Sequence, residues 1–258
     1  MIHYECFGSP DHWPLVMVHG LFGSWQNLKA VAQSLSSDYY VVAVDCRNHG
    51  QSFHDNTMTY DDMAVDVMTL MTQRIQRSVF GIIGHSMGGK VAMQTAIMFP
   101  DAITAIAVMD IAPKAYPLYH QPIIQAMRSL DLRQCHTVTD AITALAPAIP
   151  NAHLRQFLAK NLTRKNGPLA WKINLSAIDV AYKTIASFPS HTTSYHGPSL
   201  FIRGSRSNYI ADNDPSIFHH MPRAVIEDMD ASHWIHAEQP TAVSDRLMNW
   251  FKSVRHAH

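Results

Sequence analysis

Short hydrophobic runs alternate with longer amphipathic segments over most of the chain. The inner runs are apolar or β-branched at consecutive positions rather than at alternating ones. That pattern is typical of parallel strands that are buried on both faces. The runs that predict strands are Ile2–Phe7, Leu15–Val18, Tyr40–Val44, Val79–Ile83, Ile106–Met109, Ser199–Arg203 and Ala224–Glu227.

Between these runs, apolar side chains recur every three or four residues. Leu28–Leu35, Met63–Ile75 and Thr241–Val254 follow this spacing, which predicts helices with one face against a sheet. Alternation of strand, helix and strand requires right-handed crossovers and produces a mostly parallel sheet. The predicted fold class is therefore α/β.

The alternation stops after Asp110 and returns near Ser199. The residues between them carry helical patterns and several prolines but no convincing buried strand. The simplest interpretation is one sheet domain that is interrupted by a helical insertion. We predict that residues 1–111 form the first part of an α/β core, residues 112–196 a helical cap, and residues 197–258 the second part of the core.

The composition of the chain limits the kinds of molecule that we expect it to bind. The 258 residues suit one large α/β domain with an insertion. Lys and Arg together number 20, as do Asp and Glu, and this balance argues against nucleic acid or an anionic membrane as the main partner. We expect no membrane span, because no apolar run is long enough, and no secretory signal, because the start lacks a basic region that is followed by an apolar stretch. We expect a small-molecule substrate, and the oligomeric state stays open.

The cysteines and histidines form no metal motif. Cys6, Cys46 and Cys135 are odd in number and lack metal-ligand spacing, which predicts reduced thiols in a cytoplasmic protein. His233 and His236 have a His-x-x-His spacing, but no third ligand accompanies them. We predict neither a metal nor a cofactor.

The pentapeptide Gly84-His85-Ser86-Met87-Gly88 carries the strongest chemical signal. It lies between the predicted strand Val79–Ile83 and the helical pattern Met87–Met98. A serine between two glycines at such a turn is typical of a nucleophile elbow, in which side chains larger than hydrogen would collide with the neighbouring backbone. A chance match in a loop is the alternative, and the flanking strand and helix favour the elbow. Ser86 is the candidate nucleophile.

A serine nucleophile needs a base within hydrogen-bond reach. His233 follows the last predicted strand, at the carboxyl edge of the sheet where ligand sites of α/β proteins form. It also satisfies the expected chain order of serine, acid and histidine. His236 is the competitor, and we expect it to pack against or cap the final helix. His233 is the candidate base.

The acid is the least settled member. It usually follows the strand Leu200–Arg203 in a Gly-x-x-Asp turn, but here that turn reads Gly204-Ser205-Arg206-Ser207. Asp110 ends the preceding strand, and neighbouring strands lie only about 4.8 Å apart, so its carboxylate can reach the histidine. We assign Asp110 the orienting role. Asp212 and Asp214 remain alternatives, and Asp110 could instead cap the turn that follows it.

Backbone amides must stabilise the oxyanion of the tetrahedral intermediate. Met87, directly after the nucleophile, supplies one of them. The loop after Leu15–Val18 supplies the other, with Leu21 as the first candidate and Phe22 as the second. The predicted cap offers large side chains for an acyl pocket: Tyr116, Tyr119, Met127, Phe157, Trp171, Tyr182 and Phe188.

Four segments together carry a family resemblance: His19–Ser24, Asp45–Ser52, Gly84–Lys90 and Asp110–Pro113. With serine in place of aspartate after Gly204, they resemble the α/β-hydrolase superfamily and, within it, the bacterial YbfF-type (acyl-CoA) esterases. The resemblance covers nearly the whole chain. It implies an α/β-hydrolase fold, with a mostly parallel sheet of the eight-stranded type, flanking helices, and a helical cap inserted after strand 6.

The same resemblance implies hydrolysis of short-chain carboxylic esters, with acyl-CoA thioesters as a second substrate class, and an acid at the position of Asp110. One departure is Ser232, which precedes His233 where the superfamily often has glycine. We predict a cofactor-free serine esterase that forms an acyl-enzyme on Ser86. The alternatives are a carbon–carbon bond hydrolase that uses the same residues, and a ligand-binding scaffold without turnover.

Overall fold

The computed structural model describes residues 1–164, 167–190 and 193–255. Within them, strands form a large central sheet and one small hairpin. The strands are β1 (Tyr4–Phe7), β2 (Trp13–Val18), β3 (Tyr39–Val44), β4 (Phe80–His85), β5 (Ile103–Met109), β6 (Leu162–Thr163), β7 (Ala170–Trp171), β8 (Ser199–Gly204) and β9 (Ala224–Met229).

Helices cover both faces of the central sheet and fill the inserted segment. The α-helices are α1 (Lys29–Leu35), α2 (Tyr60–Gln73), α3 (Met87–Met98), α4 (Gln121–Ser129), α5 (Val138–Ala144), α6 (Ala152–Ala159), α7 (Leu175–Ala186), α8 (Pro215–His220), α9 (Ile235–Glu238) and α10 (Pro240–Arg255). Two short 3₁₀ helices, Trp25–Leu28 and Leu132–Gln134, precede α1 and α5.

The central sheet has the strand order β1-β3-β2-β4-β5-β8-β9. All neighbouring pairs are parallel except β1 with β3. His85 pairs with Met109, Met109 pairs with Ile202, and Gly204 pairs with Met229. The carboxyl ends of β4, β5, β8 and β9 therefore lie side by side, and the loops that leave them meet at one edge.

The predicted α/β-hydrolase fold class is confirmed, and all seven predicted strands are present. Within the described residues the central sheet has seven strands, one fewer than the eight-stranded type. The chain enters the sheet through the antiparallel edge strand β1, and residues 1–3 form no strand before it. For that reason the strand that precedes the insertion is the fifth along this chain rather than the sixth.

The insertion between β5 and β8 contains α4 to α7 and the hairpin of β6 with β7. The hairpin is a strand pair that the helical patterns did not predict. Residues 165–166, 191–192 and 256–258 of the predicted segments lie outside the described residues, and the boundaries at 112 and 196 stay a prediction. Ile124, Ile178 and Tyr182 from the insertion pack in the same buried cluster as the sheet residues Ile106 and Val108.

Candidate active site

The predicted nucleophile elbow is a tight turn between β4 and α3. Ser86 has a φ of +53°, a conformation that side chains rarely adopt. A Cβ on Gly84 would lie 2.0 Å from the carbonyl oxygen of Gly88, and a Cβ on Gly88 would lie 2.2 Å from that of Val18. Both glycines are therefore required by close backbone approach, and the turn holds the Ser86 hydroxyl out at the carboxyl edge of the sheet.

Three side chains that are distant in sequence form a continuous hydrogen-bond chain at this edge. Nε2 of His233 lies 3.0 Å from Oγ of Ser86, and Nδ1 of His233 lies 2.8 Å from Oδ2 of Asp110. The Asp110 side chain is fully buried, and 17% of the His233 side chain is exposed. Because the carboxylate can only accept at Nδ1, the neutral imidazole has a free lone pair on Nε2 for the Ser86 hydroxyl.

The turn after β8, which lacks the usual aspartate, packs directly on Asp110. Ser207, at the position where that aspartate is expected, donates its hydroxyl to Oδ2 of Asp110. The Gly204 amide donates to Oδ1 at 2.9 Å. The two oxygens thus accept from three residues of other segments, and the alternative in which Asp110 caps its own turn is not observed among the described residues.

The two alternative acids lie elsewhere. Asp212 is 88% exposed and pairs with Arg203. Asp214 is buried, pairs with Lys114 and caps the start of α8. Neither carboxylate contacts His233, so the geometry favours Asp110.

The His233 ring is fixed by its neighbours. The Tyr209 ring stacks on it with centroids 4.0 Å apart and an interplanar angle of 18°. Nε2 of His85 donates to the His233 carbonyl at 2.9 Å. Ser232 does not have a positive φ, and its hydroxyl bonds to Glu238, so the turn accepts a side chain where glycine is frequent.

His236 was expected at the final helix, and the structure gives it another neighbour. Its ring lies 4.3 Å from the His85 ring and is 4% exposed. Burial lowers the pKa of His236 to about 4, so the ring is neutral near pH 7. His236 belongs to the short helix α9, and its ring packs on those of His85 and Trp234.

His19 and His85 were not predicted to take part in the chemistry, and the contacts of His19 agree with a structural role. Nε2 of His19 accepts from the Cys46 amide at 3.0 Å, and Nδ1 donates to the Gly20 carbonyl at 2.8 Å. Burial lowers the pKa of His19 to about 4. A neutral ring with both nitrogens engaged ties the loop after β2 to the loop after β3.

The amides proposed for the oxyanion differ in their availability. The Phe22 amide donates to Nε2 of His49 at 3.1 Å and is therefore engaged. Leu21 and Met87 line the cleft beside Ser86, and among the described residues no group accepts a hydrogen bond from either amide. The geometry thus favours Leu21 over Phe22 as the second donor.

Two clefts meet at Ser86, and Leu21 and His120 line both. The first has a volume of about 410 Å³, including its open part, and is bounded by tyrosines from α2, the insertion and the loop after β8: Tyr60, Tyr116, Tyr119, Tyr182 and Tyr209. The second has a volume of about 420 Å³ and is bounded by rings on the far side of His233: His19, Phe157, Trp234 and His236. An ester bound at Ser86 can thus place its acyl and alcohol portions in separate spaces.

Of the large side chains predicted for the acyl pocket, Tyr116, Tyr119, Tyr182 and Phe157 line these two clefts. Met127, Trp171 and Phe188 do not; Met127, for example, is fully buried in the core. The physical reason is that each inserted helix turns one face toward the sheet and another toward its neighbours, and periodicity does not distinguish the two.

Sequence reasoning missed His120, Lys90 and Tyr209. His120 gave no signal among 17 histidines. Lys90 gave one, since it is a cation inside the otherwise apolar start of α3, one turn after Ser86.

In the described part of the chain, no group of three or more histidine, cysteine or acidic side chains is arranged to hold a metal ion. No helix in that part is long and apolar enough to cross a membrane.

Comparison with known proteins gives consistent relatives. A family model described as alpha/beta hydrolase fold matches residues 14–169. The sn-1-specific diacylglycerol lipase ABHD11 of Danio rerio is 41% identical over 92% of this chain and 78% of its own length. Esterase YbfF of Escherichia coli is 34% identical over 89% of each chain. The structure of a marine microorganism esterase is 35% identical with a TM-score of 0.92, and the match covers 96% of this chain and 98% of that one.

These matches confirm the resemblance that the four sequence segments indicated, including the YbfF-like esterases among the relatives. The family model covers more than half of the chain, and the relatives cover nearly all of it. The chain belongs to the α/β-hydrolase family.

Proposed function

We propose that this protein hydrolyses short-chain carboxylic esters through an acyl-enzyme on Ser86. The observation that carries the proposal is the unbroken hydrogen-bond chain from Ser86 through His233 to Asp110. The broader prediction, a carboxylic ester hydrolase, is confirmed by relatives that are named as lipase or esterase. The roles of the individual residues are proposed from their contacts.

In the first half of the reaction, the Ser86 oxygen attacks the acyl carbonyl while Nε2 of His233 takes the hydroxyl proton. The oxyanion that forms accepts hydrogen bonds from the Leu21 and Met87 amides. Collapse of the tetrahedral intermediate breaks the ester bond, and His233 returns the proton to the departing alcohol. Asp110 stays ionised and stabilises the imidazolium.

In the second half, water replaces the alcohol. His233 takes one proton from the water as its oxygen attacks the acyl-enzyme, and it then returns that proton to Ser86. The products are a carboxylic acid and the free enzyme. A thioester follows the same path with a thiol as the leaving group, which supports acyl-CoA thioesters as a second substrate class.

The cleft dimensions support short acyl groups. The tyrosine-walled cleft beside Ser86 has a volume of about 410 Å³, which includes the part that is open to solvent. The enclosed part of this cleft has a volume of only about 40 Å³, far below the roughly 300–1,000 Å³ of pockets that bind drug-sized ligands. Neutral tyrosine rings around the cleft suit an uncharged acyl chain.

The test combines turnover with direct detection of the intermediate. We expect steady hydrolysis of p-nitrophenyl butyrate, faster than that of the decanoate, and a mass increase of one butyryl group on Ser86 in rapidly quenched samples. Ser86→Ala should lose both. A matched series of butyryl esters, butyryl-CoA and a diketone whose carbon–carbon bond would be cleaved tests which leaving groups the enzyme accepts. Turnover of the diketone alone would exclude the ester proposal, and binding without turnover would indicate a scaffold.

A further inference from the structure

A buried lysine lies one helical turn beyond the nucleophile. Lys90 is 2% exposed and belongs to α3, whose first residue follows Ser86. Among the described residues its ammonium forms no ion pair with a carboxylate. Lysine is almost never fully buried unless its charge is compensated. The charge of the buried ammonium must therefore be compensated by the groups that surround Nζ.

Three backbone carbonyls surround the Lys90 ammonium. Nζ donates to Ser187 at 2.7 Å, to Lys114 at 2.9 Å and to Ala186 at 3.1 Å. An ammonium has three N–H donors, so all of them are used. The Tyr116 ring also lies 4.8 Å from Nζ, within the range of a cation–π interaction. Lys90 is therefore saturated by the protein and does not contact the substrate through a hydrogen bond.

Two of the three acceptors belong to the end of one inserted helix. Ala186 is the last residue of α7, and Ser187 is its C-cap. Carbonyls at a helix C-terminus lack partners within the helix and carry partial negative charge. The third acceptor, Lys114, lies in the segment that leaves β5 and enters the insertion. One cation on α3 thus joins the entry and the exit of the inserted segment.

The helix end that Lys90 contacts also forms one wall of the tyrosine-walled cleft beside Ser86, which we call the acyl cleft. Tyr182, Ile185 and Ala186 of α7 line the same cleft as Ser86 and Lys90. The Tyr182 hydroxyl in turn contacts the His120 amide at 2.8 Å and Nδ1 of His120 at 3.0 Å. Tyr182 lies directly before the last turn of α7, so a displacement of that turn would move the cleft wall and, through Tyr182, the His120 ring that lines both clefts.

We propose that Lys90 is a positioning residue that holds the last turn of α7 against the acyl cleft and thereby limits the length of the acyl group. This inference rests on the proposed ester hydrolysis and adds the residue that sets its chain-length selectivity. In this role Lys90 makes no contact with the reacting atoms. Its physical basis is a helix C-terminus that is capped by a cation from the nucleophile-bearing helix.

The burial of the Lys90 side chain is consistent with a role other than stabilising the fold. It lowers the pKa of Lys90 to about 7, so desolvation opposes the charge that the three carbonyls and the Tyr116 ring favour. An apolar side chain of similar length fits such a site at lower desolvation cost. A lysine is therefore not what core packing alone favours.

The main test is Lys90→Met, which keeps the length of the side chain and removes the three donors. We expect its ratio of kcat/KM for p-nitrophenyl octanoate to that for the butyrate to rise by at least about tenfold, because accommodation of only one of the four additional methylenes is worth roughly 10-fold or more. Lys183→Met is the matched control because Lys183 lies in the same last turn of α7 but is exposed. Its ratio should not change. An unchanged ratio in a folded Lys90→Met would overturn the inference.

Hydrogen exchange gives a readout that does not depend on ester hydrolysis. Amides of the last turn of α7 should exchange at least about tenfold faster in Lys90→Met than in wild type or Lys183→Met. If Lys90→Met does not fold, Lys90→Gln replaces it, because its amide keeps a polar group in the site but cannot donate to all three carbonyls. Unchanged exchange in the folded variant overturns the inference even if esters are hydrolysed. Absent ester hydrolysis in wild type with faster exchange refutes the proposed function alone.

Discussion

Replacement of Asp110 by asparagine perturbs the proposed base through a single atom. The change keeps the size of the side chain and converts one carboxylate oxygen into an NH₂ group. In the wild-type protein, Oδ1 accepts from the Gly204 amide at 2.9 Å, and Oδ2 accepts from His233 and Ser207. Because a backbone amide can only donate, the asparagine oxygen takes the Oδ1 position and the NH₂ group faces His233.

That orientation changes the imidazole tautomer. Nδ1 of His233 must accept from the NH₂ group, so the ring holds its proton on Nε2 and cannot take the proton of Ser86. In the opposite amide orientation the NH₂ group faces the Gly204 amide, so two donors meet. This arrangement costs about 1–3 kcal/mol, and the opposite orientation is therefore roughly 5- to 150-fold less populated. In that minor state the imidazolium still lacks its carboxylate. Together these effects should lower kcat by about 10⁴.

The assay is steady-state hydrolysis of p-nitrophenyl butyrate, with thermal unfolding as the test of a folded protein. Asp212→Asn is the matched control, because Asp212 is 88% exposed and pairs with Arg203 instead of His233. Its kcat should stay within about twofold of wild type, as for most exposed ion pairs. A folded Asp110→Asn within about tenfold of wild type, or a severe loss in Asp212→Asn, would refute the orienting role of Asp110.

Three further predictions follow from the site. Ser86→Ala should lower kcat for p-nitrophenyl butyrate by about 10⁴–10⁶ while the melting temperature is retained, and residual turnover near wild type would mean that another nucleophile acts. Gly84→Ala should destabilise the protein by several kcal/mol, because its Cβ would lie 2.0 Å from the Gly88 carbonyl oxygen; an unfolding midpoint equal to that of wild type would contradict this. Acid should destabilise the fold: burial lowers the pKa of His19 and of His236 to about 4, whereas the unfolded chain binds these protons below about pH 6.5. The free energy of unfolding should therefore fall between pH 6.5 and 4, by up to about 2 kcal/mol per ring at pH 5, and His236→Phe should show a shallower fall in urea titrations.

Much of the fold could be predicted because its signals are local. Continuous apolar runs identified the inner strands of the central sheet, since strands buried on both faces are mostly apolar, and the edge strands β1 and β9 were identified by shorter, mixed runs. The elbow at Ser86 was also local, because two glycines and a serine are needed wherever a strand turns that sharply into a helix. The meeting of Asp110 with His233 followed from strand order, since the carboxyl ends of neighbouring parallel strands lie at one edge.

The remaining features depend on tertiary contacts. The hairpin of Leu162–Thr163 with Ala170–Trp171 has two residues per strand, too few for a periodic pattern. The place of His236 against His85 depends on how α9 packs, and no spacing rule expresses it. Trp171 was one of several large side chains available for the acyl pocket, each individually expected more in the cap core, and it lies outside both clefts at Ser86 because packing against neighbours decides its orientation.

Ser207 lies at the position in the sequence where the acid was expected, and Asp110 from the neighbouring strand contacts His233 instead. Met109 and Ile202 are paired in the sheet, so the residues that follow β5 and β8 emerge beside each other. A carboxylate from either strand end can therefore reach Nδ1 of the histidine. Here Asp110 fills that place, and Ser207 donates to it instead of competing for the histidine. The proposed acid is therefore defined by its position beside His233 rather than by its position in the sequence.

Helix α3 connects the proposed chemistry with the proposed selectivity. Its N-terminus follows Ser86 and supplies the Met87 amide, and Lys90 lies four residues after Ser86, about 6 Å along the helix. A rigid turn of helix thus separates the nucleophile from the cation that holds α7. Because the two functions share one rigid element but use different atoms, changes at the α7 end can alter the acyl cleft without moving the Ser86 hydroxyl. Acyl-chain selectivity and the rate of the chemical step should therefore respond separately to substitution.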